Sequence, residues 1–409
     1  MVTQEVFVDK LQLYHRFLHS IRYFTRVEFL FGLNNLDVKA KILNPNSPKR
    51  INPFLRIANH LYILLVWGGM LAGFLVWMRL LGTNGDLGGS LANVNTVASS
   101  IAFGVSFFAV LCLRVAWYFQ GEAYARAWIH LYNSPNLCLL EGIQMPYFKP
   151  FILFVIHALT GNILVVREAL KRPTIEGQNE FNVLIIIGLC ITSILSTYVM
   201  IAGKILMCFI YHVGTEQIHN LEKFISTSIH GVGINRVKIL FFAIQETCKN
   251  FHKVFSPLLV ITLTSDLVSL ISCLYFGIIR IIGPEAPDAS VVTKVLAFIT
   301  PWSQSIVCIL ELIWLCEEGQ KFQDAQENFR EEVCRWSTLN LDEKAKGELA
   351  LFTTQLNGKI GPASAGGFFN VNRGLWIGIL SSTTTYLVVL LQSYVSVQST
   401  ISDHFNATK

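Results

Sequence analysis

Between Leu375 and Val395 the chain carries no charge, a stretch long enough to cross a bilayer as a helix. Its middle nevertheless holds Ser381, Ser382, Thr383, Thr384 and Thr385, and its far end holds Gln392. Helical spacing puts Ser381, Thr385, Val388, Val389 and Gln392 along one stripe. A glutamine amide has four hydrogen-bonding sites and is costly to leave unpaired in hydrocarbon, so the stripe needs water or protein beside it: a cavity, a helix interface or a pore. Ser and Thr also bond back to the i−4 carbonyl and pack between membrane helices, which is the competing reading.

Further polar residues interrupt the other apolar runs: Thr160 and Asn162, Thr192 and Ser193, Ser272 and Tyr275, and Trp302, Ser303 and Gln304. At membrane depth such groups require partners or a water-filled cavity. Aromatic walls with hydroxyls and amides suit a small organic ligand, and these residues are candidates for its pocket; interhelical hydrogen bonds without a ligand would satisfy them equally. Asp266 and Glu311 are acids within apolar runs, and Arg114 could pair with one of them or extend to the interface; structural roles are expected for all three. His15 and His19 have i, i+4 spacing but no HExxH pattern, so a surface helix is expected and no metal site. Gly231 and Gly233 follow no strand, and no phosphate loop, zinc signature or nucleophile elbow is present. The chain therefore reads as a non-enzyme that needs no cofactor.

The elements that must position these groups are helices in a membrane. Of 409 residues 52% are apolar and 14% charged, with mean hydropathy +0.49, far too apolar for a soluble domain of this size. Basic residues dispersed between apolar runs make nucleic acid a poor partner. No N-terminal signal peptide is evident, and residues 11–24 suggest an interfacial or packed helix. Seven spans are predicted: Leu61 to Leu81, Val97 to Trp117, Phe151 to Val166, Val183 to Ala202, Leu258 to Ile279, Val295 to Cys316 and Leu375 to Val395. The fourth and sixth connections are long and striped with apolar residues, so the fourth to sixth helices should continue beyond the bilayer and pack together. Gly69 and Gly73 form a GxxxG pair in the first span, suited to close helix packing.

Most of the 32 Lys and Arg fall in the N-terminal segment and the second, fourth and sixth connections, with Lys204 assigned to the fourth. The positive-inside rule then predicts a cytoplasmic N-terminus and an extracellular C-terminus. None of the nine cysteines falls in a predicted outer loop, so no disulfide framework is expected. Asn406, in a sequon near the end, would lie outside as a glycosylation candidate.

Thr385-Tyr386, five apolar residues and Gln392 resemble the Thr-Tyr-(five hydrophobic)-Gln-Phe signature in the last helix of insect gustatory receptors. The preceding Gly366-Gly-Phe-Phe-Asn-Val-Asn-Arg373 resembles the Gly-rich aromatic run of the same family. Ser393 stands where the family has Phe. The resemblance implies an all-α, seven-span ligand-gated cation channel, a homo- or heterotetramer with other gustatory subunits, in the plasma membrane of chemosensory neurons. Its gate would be opened by a small-molecule tastant. Carried onto this chain, Gln392 and Ser393 take the narrow outer part of the pore, with Leu391 and Val388 below and Thr385 and Ser381 further along the same helix. Ser393 removes a ring from the hydrophobic constriction, so either Gln392 and Leu391 close the pore or a partner subunit supplies the ring. Leu387, where sugar receptors tend to place an acid, favours a bitter or other non-sugar ligand.

The implied organisation is a cytoplasmic segment 1–56, six helices with their extensions over 57–317, a cytoplasmic anchor segment 318–374, the pore helix 375–395 and an extracellular tail 396–409. The competing functions are a transporter, for which no inverted repeat of broken helices is visible, and a metabotropic seven-helix receptor, whose Asp/Glu-Arg-Tyr and Asn-Pro-x-x-Tyr motifs are absent. On intact cells, antibody is expected to reach an epitope tag at the C-terminus, and one at the N-terminus only after permeabilisation. The reverse pattern would overturn the assigned orientation.

Overall fold

The computed structural model describes residues 12–15, 17, 39, 41–42, 53–82, 90–140, 143, 152–160, 162, 179–228, 233–282, 291–336, 343–359, 364–365 and 368–407. Long apolar stretches with few internal breakers give long helices. These are α1 (Pro53–Gly82), α2 (Ser90–Asn133), α3 (residues 152–160), α4 (Asn179–Ser228), α5 (Ile234–Ile282), α6 (Val291–Arg335), α7 (Glu343–Lys359) and α8 (Arg373–Ala407). The first, second and fourth to seventh predicted spans each fall on one of them, the third is described only at residues 152–160 and 162, and α4, α5, α6 and α8 are individually long and apolar enough to cross a bilayer. The chain is an all-α polytopic membrane protein.

Two helices outrun the sequence reading. The second span was expected to end at Trp117, yet α2 continues to Asn133 because Trp117, Tyr124, Trp128 and Leu131 keep a helical apolar stripe through the charged stretch that follows. The segment 396–409, expected as a tail, is helical as far as Ala407. The Asn406 side chain lies outside the described ones.

At one end of the bundle the extensions of α2, α4, α5 and α6 share an aromatic core with α7. Phe241 of α5 stacks on Phe329 of α6, with ring centroids 4.5 Å apart, and Phe352 of α7 meets both from the side. Trp128 of α2 packs edge-on to Phe251 of α5, and Tyr124 to Phe255. Such tilted and offset pairs add stabilisation beyond the area they bury. A 3₁₀ turn, Pro135–Leu140, closes α2 onto α4: the Asn136 amide donates to Gln217 Oε1 at 3.3 Å, the Gln217 amide donates to the Asn136 backbone carbonyl at 3.1 Å, and Asn220 donates to the Leu139 carbonyl at 3.0 Å. N-terminal residues join the same core. Tyr14 is fully buried, donates to the Ile42 carbonyl and packs edge-on to Tyr132, so the described residues here are packed rather than free on the interface. Lys41 bonds Glu122 of α2, and this hydrogen bond and charge hold the carboxyl below the ordinary glutamate range.

The approach to α8 is tightly fitted. Ser364–Ala365 (β1) pairs antiparallel with Phe369–Asn370 (β2), after which Val371 is buried against α6 at Gly319. A Cβ on Gly319 would sit 2.2 Å from the Val371 carbonyl oxygen, which no side chain could tolerate without moving the backbone. Gly319→Ala is therefore expected to cost about 1–3 kcal/mol. Gly347→Ala, in open space on α7, should instead gain about 1 kcal/mol from helix propensity. Thermal melting of the purified variants checks both; equal melting temperatures would remove the close-approach argument.

Candidate functional site

Two features of the bundle can carry function: a polar network buried among four helices and the exposed polar face of α8. The network is centred on Lys204 of α4, whose side chain is only 2% exposed. Its ammonium donates to Asp266 Oδ2 of α5 at 2.9 Å and to Glu311 Oε2 of α6 at 2.5 Å. The other Glu311 oxygen lies 2.7 Å from Nδ1 of His157 on α3. Nε2 of that ring meets the Gln304 amide of α6 at 2.9 Å, and the amide's other end meets the Thr160 hydroxyl of α3 at 2.9 Å. Thr160 therefore also closes the chain back onto its own helix, 2.9 Å from the His157 carbonyl. Charges this far from water persist only when paired and fully hydrogen-bonded.

This arrangement corrects two readings of the sequence. Lys204 does not belong to a connection; it lies in the bundle, and it is the partner of both Asp266 and Glu311. Arg114 is also buried, at 2% exposure, but it does not supply the cation for those acids. His157 was missed altogether. The available signal was a lone basic residue in each of two apolar runs, Phe151 to Val166 and Val199 to Tyr211, answered by a lone acid in each of the two runs that follow.

The other pocket candidates separate. Thr160 and Gln304 join the network. Thr192, Ser272 and Ser303 bond back to the carbonyls of Gly188, Val268 and Thr300. Ser193 is half-buried on α4, and Asn162 keeps a buried amide oxygen without a described hydrogen bond. Trp302 lays its ring over Gly277 of α5, where a Cβ would stand 3.0 Å from it, and its indole N–H is buried without a bond. Tyr275 turns instead toward α8: with Ile279 and Tyr394 it forms a buried cluster against which Leu387 and Leu391 pack.

That cluster fixes the rotation of α8. Thr383, Leu387, Leu391 and Tyr394 recur at helical spacing on the packed face. On the opposite face Ser381, Ser382, Thr385, Val389, Gln392, Ser393 and Ser396 are all exposed, with Val388 at its flank. Leu391 is thus on the packed side, away from the other five residues assigned to one lining. Tyr386 is exposed at the edge of the polar face. The helix is pinned at its start by a two-pronged pair, Arg373 Nε and Nη2 to the Glu317 oxygens at 2.8 and 2.9 Å, and capped by Asn372 Oδ1, which accepts from the Gly374 N–H at 3.1 Å.

The model of the family described as 7tm Chemosensory receptor matches residues 21–396. The chain belongs to that family. The solved insect olfactory receptor OR5 of Machilis hrabei in complex with eugenol shares the receptor's fold, with TM-score 0.62 and 13% identity over 92% of this chain and 99% of that one. A second solved structure of the same olfactory receptor gives TM-score 0.63 and 13% identity over 93% of this chain and 99% of that one. Locally the receptor is also similar to Gustatory and odorant receptor 24 of Anopheles gambiae, 34% identical over 91 residues. That match spans 21% of this chain and 19% of the relative's length.

Within the receptor the network admits a direct test. Lys204→Met strands two carboxylates in the bundle and is expected to cost about 3–5 kcal/mol. Replacing all three charges together, Lys204→Met with Asp266→Asn and Glu311→Gln, should recover most of that loss. Monodispersity and melting temperature in detergent report both; a single variant as stable as wild type would mean that the pairing carries no weight.

Proposed function

We propose that the receptor is a subunit of a ligand-gated cation channel in which α8 helices of several copies surround the ion path. The observation that carries this reading is the division of α8 into two faces. Between Leu375 and Ser396 only Thr383 and Tyr394 are buried within the chain, and the face opposite them is almost entirely hydroxyl and amide. Hydrocarbon is a poor neighbour for that face, whereas water and ions are good ones.

The hydroxyl geometry favours cations. Thr385 and Ser393 each give their proton to an i−4 carbonyl, at 3.1 and 2.9 Å. A hydroxyl that has donated its one proton presents only lone pairs outward, and lone pairs coordinate cations. The back-bonding that competes with a pore reading thus serves it. Gln392 has its amide exposed on the same face, and Ser393 beside it leaves the constriction without the ring found in related receptors.

The ligand in this reading is a small organic molecule, as is the eugenol with which the olfactory receptor named above was solved in complex, and the gustatory motif with Leu387 inclines it toward a non-sugar tastant. A tetramer with an inward N-terminus, placed in the chemosensory cell membrane, completes the proposal. The packing of Tyr275 on Tyr394 supports a route by which movement of α5 reaches the pore helix.

Whole-cell recording with G-protein signalling blocked, combined with cysteine substitution along α8, tests it. Thiol reagents are expected to change ligand-evoked cation currents at 385, 389 and 392 and to leave them unchanged at 387 and 394. Gln392→Ala should alter ion selectivity. Strong modification at 387 with silence at 389 would place the opposite face on the ion path. Responses that survive only with G-protein signalling intact would favour the metabotropic reading.

A further inference from the structure

Apart from Arg373 at its start, α8 carries no charged residue before Asp403, so the face of Ser381, Thr385 and Gln392 is neutral along its length. Formal charges at the ends of such a face set the sign of the potential along it. At the starting end two positive contributions coincide: the Arg373 guanidinium, 58% exposed, and the N–H groups of the helix N-terminus. Left alone, they would turn cations away. Rings of arginine or lysine belong to anion paths, and rings of aspartate or glutamate to cation paths.

α6 supplies the opposite sign at this place. The Glu317 carboxylate accepts from Arg373 Nε and Nη2 at 2.8 and 2.9 Å and is itself 32% exposed, so the pair is open to solvent. Further along α6 the exposed Asp324 acts on the same guanidinium and accepts from the Gln320 amide at 2.7 Å. Lys321, near Glu317, donates to Glu318 at 2.8 Å. Three acids against two bases leave these groups negative by one charge. As an anchor the Arg373–Glu317 pair is weak, because exposed ion pairs contribute little to stability and the close approach of Val371 to Gly319 already fixes the start of α8. Packing cannot cancel a charge, and the carboxylate can.

We propose that Glu317 is a selectivity-determining residue of the ion path: by neutralising Arg373 at the end where α8 starts, it keeps that mouth open to cations. The inference rests on the α8-lined channel proposed above. Glu317 need not touch the ion, since at about 0.1 M salt a charge acts over about 10 Å.

Single-channel recording from cells expressing the full chain, with a fixed panel of bitter alkaloids as the probes, tests it. Glu317→Gln uncovers Arg373 and should lower conductance about twofold, together with the cation-to-anion permeability ratio. Arg373→Gln uncovers Glu317 and should raise conductance by a similar factor, and the two substitutions combined should return it close to wild type. These opposed effects should shrink between about 0.1 M and about 1 M salt, as the Debye length falls from about 10 to about 3 Å. A pair that only anchors the helix would instead move both single variants the same way, in surface amount or open probability, with conductance unchanged; that result overturns the proposal. Thiol modification at 392 in the same recordings separates the two readings. If 392 responds and Glu317→Gln conducts like wild type, this inference alone fails; if 392 is silent, the α8-lined path fails and takes the inference with it. Should either single variant not reach the cell surface, Asp324→Asn, which leaves the pair intact, replaces it and should lower conductance in the same direction as Glu317→Gln. Unchanged conductance there also overturns the proposal.

Discussion

One ammonium group held away from water sets the terms for the middle of the receptor. Lys204 cannot give up either acid without leaving a bare charge in a medium that solvates none, so α4, α5 and α6 are locked in one register. The lock reaches α3 through His157, Thr160 and Gln304. Apolar packing alone would not define this register, because lipid tails and apolar side chains are nearly equivalent neighbours. A polar network is different: each member depends on the next, and partial satisfaction is worse than none.

α8 is attached to this locked unit at two places. At its start, the Arg373–Glu317 pair and the close approach of Val371 to Gly319 hold it to α6. Farther along, Tyr394, Leu387 and Leu391 dock on Tyr275 and Ile279 of α5. The attachments use one edge of the helix and leave its polar edge outward. That distribution is the basis on which we propose the channel assembly. The aromatic core around Phe241, Phe329 and Phe352 gives the bundle a firmly packed end.

Much of this was legible in residue order. An all-α membrane protein followed from uncharged runs of spanning length, and the family from the Thr385, Tyr386 and Gln392 pattern. The two-faced character of α8 followed from helical periodicity, which is local and survives folding. Its rotation did not: Leu391 has the same apolar character as Val388 and Val389, and only contact with Tyr275 and Tyr394 turns it inward. Likewise the end of α2 was misplaced because charge near Glu122 and Arg126 reads as a connection until Trp128 and Leu131 are seen to be buried.

The sequence by itself determined the class of the protein, its family and the polarity of each helix face, because these depend on composition and on spacing within one turn. Tertiary structure alone decided which charges meet. Lys204 stands 62 residues from Asp266 and 107 from Glu311. Nothing in local hydropathy distinguishes a lysine that ends a span from one that pairs inside a bundle, and the difference is made by whether acids arrive from neighbouring helices to replace its water.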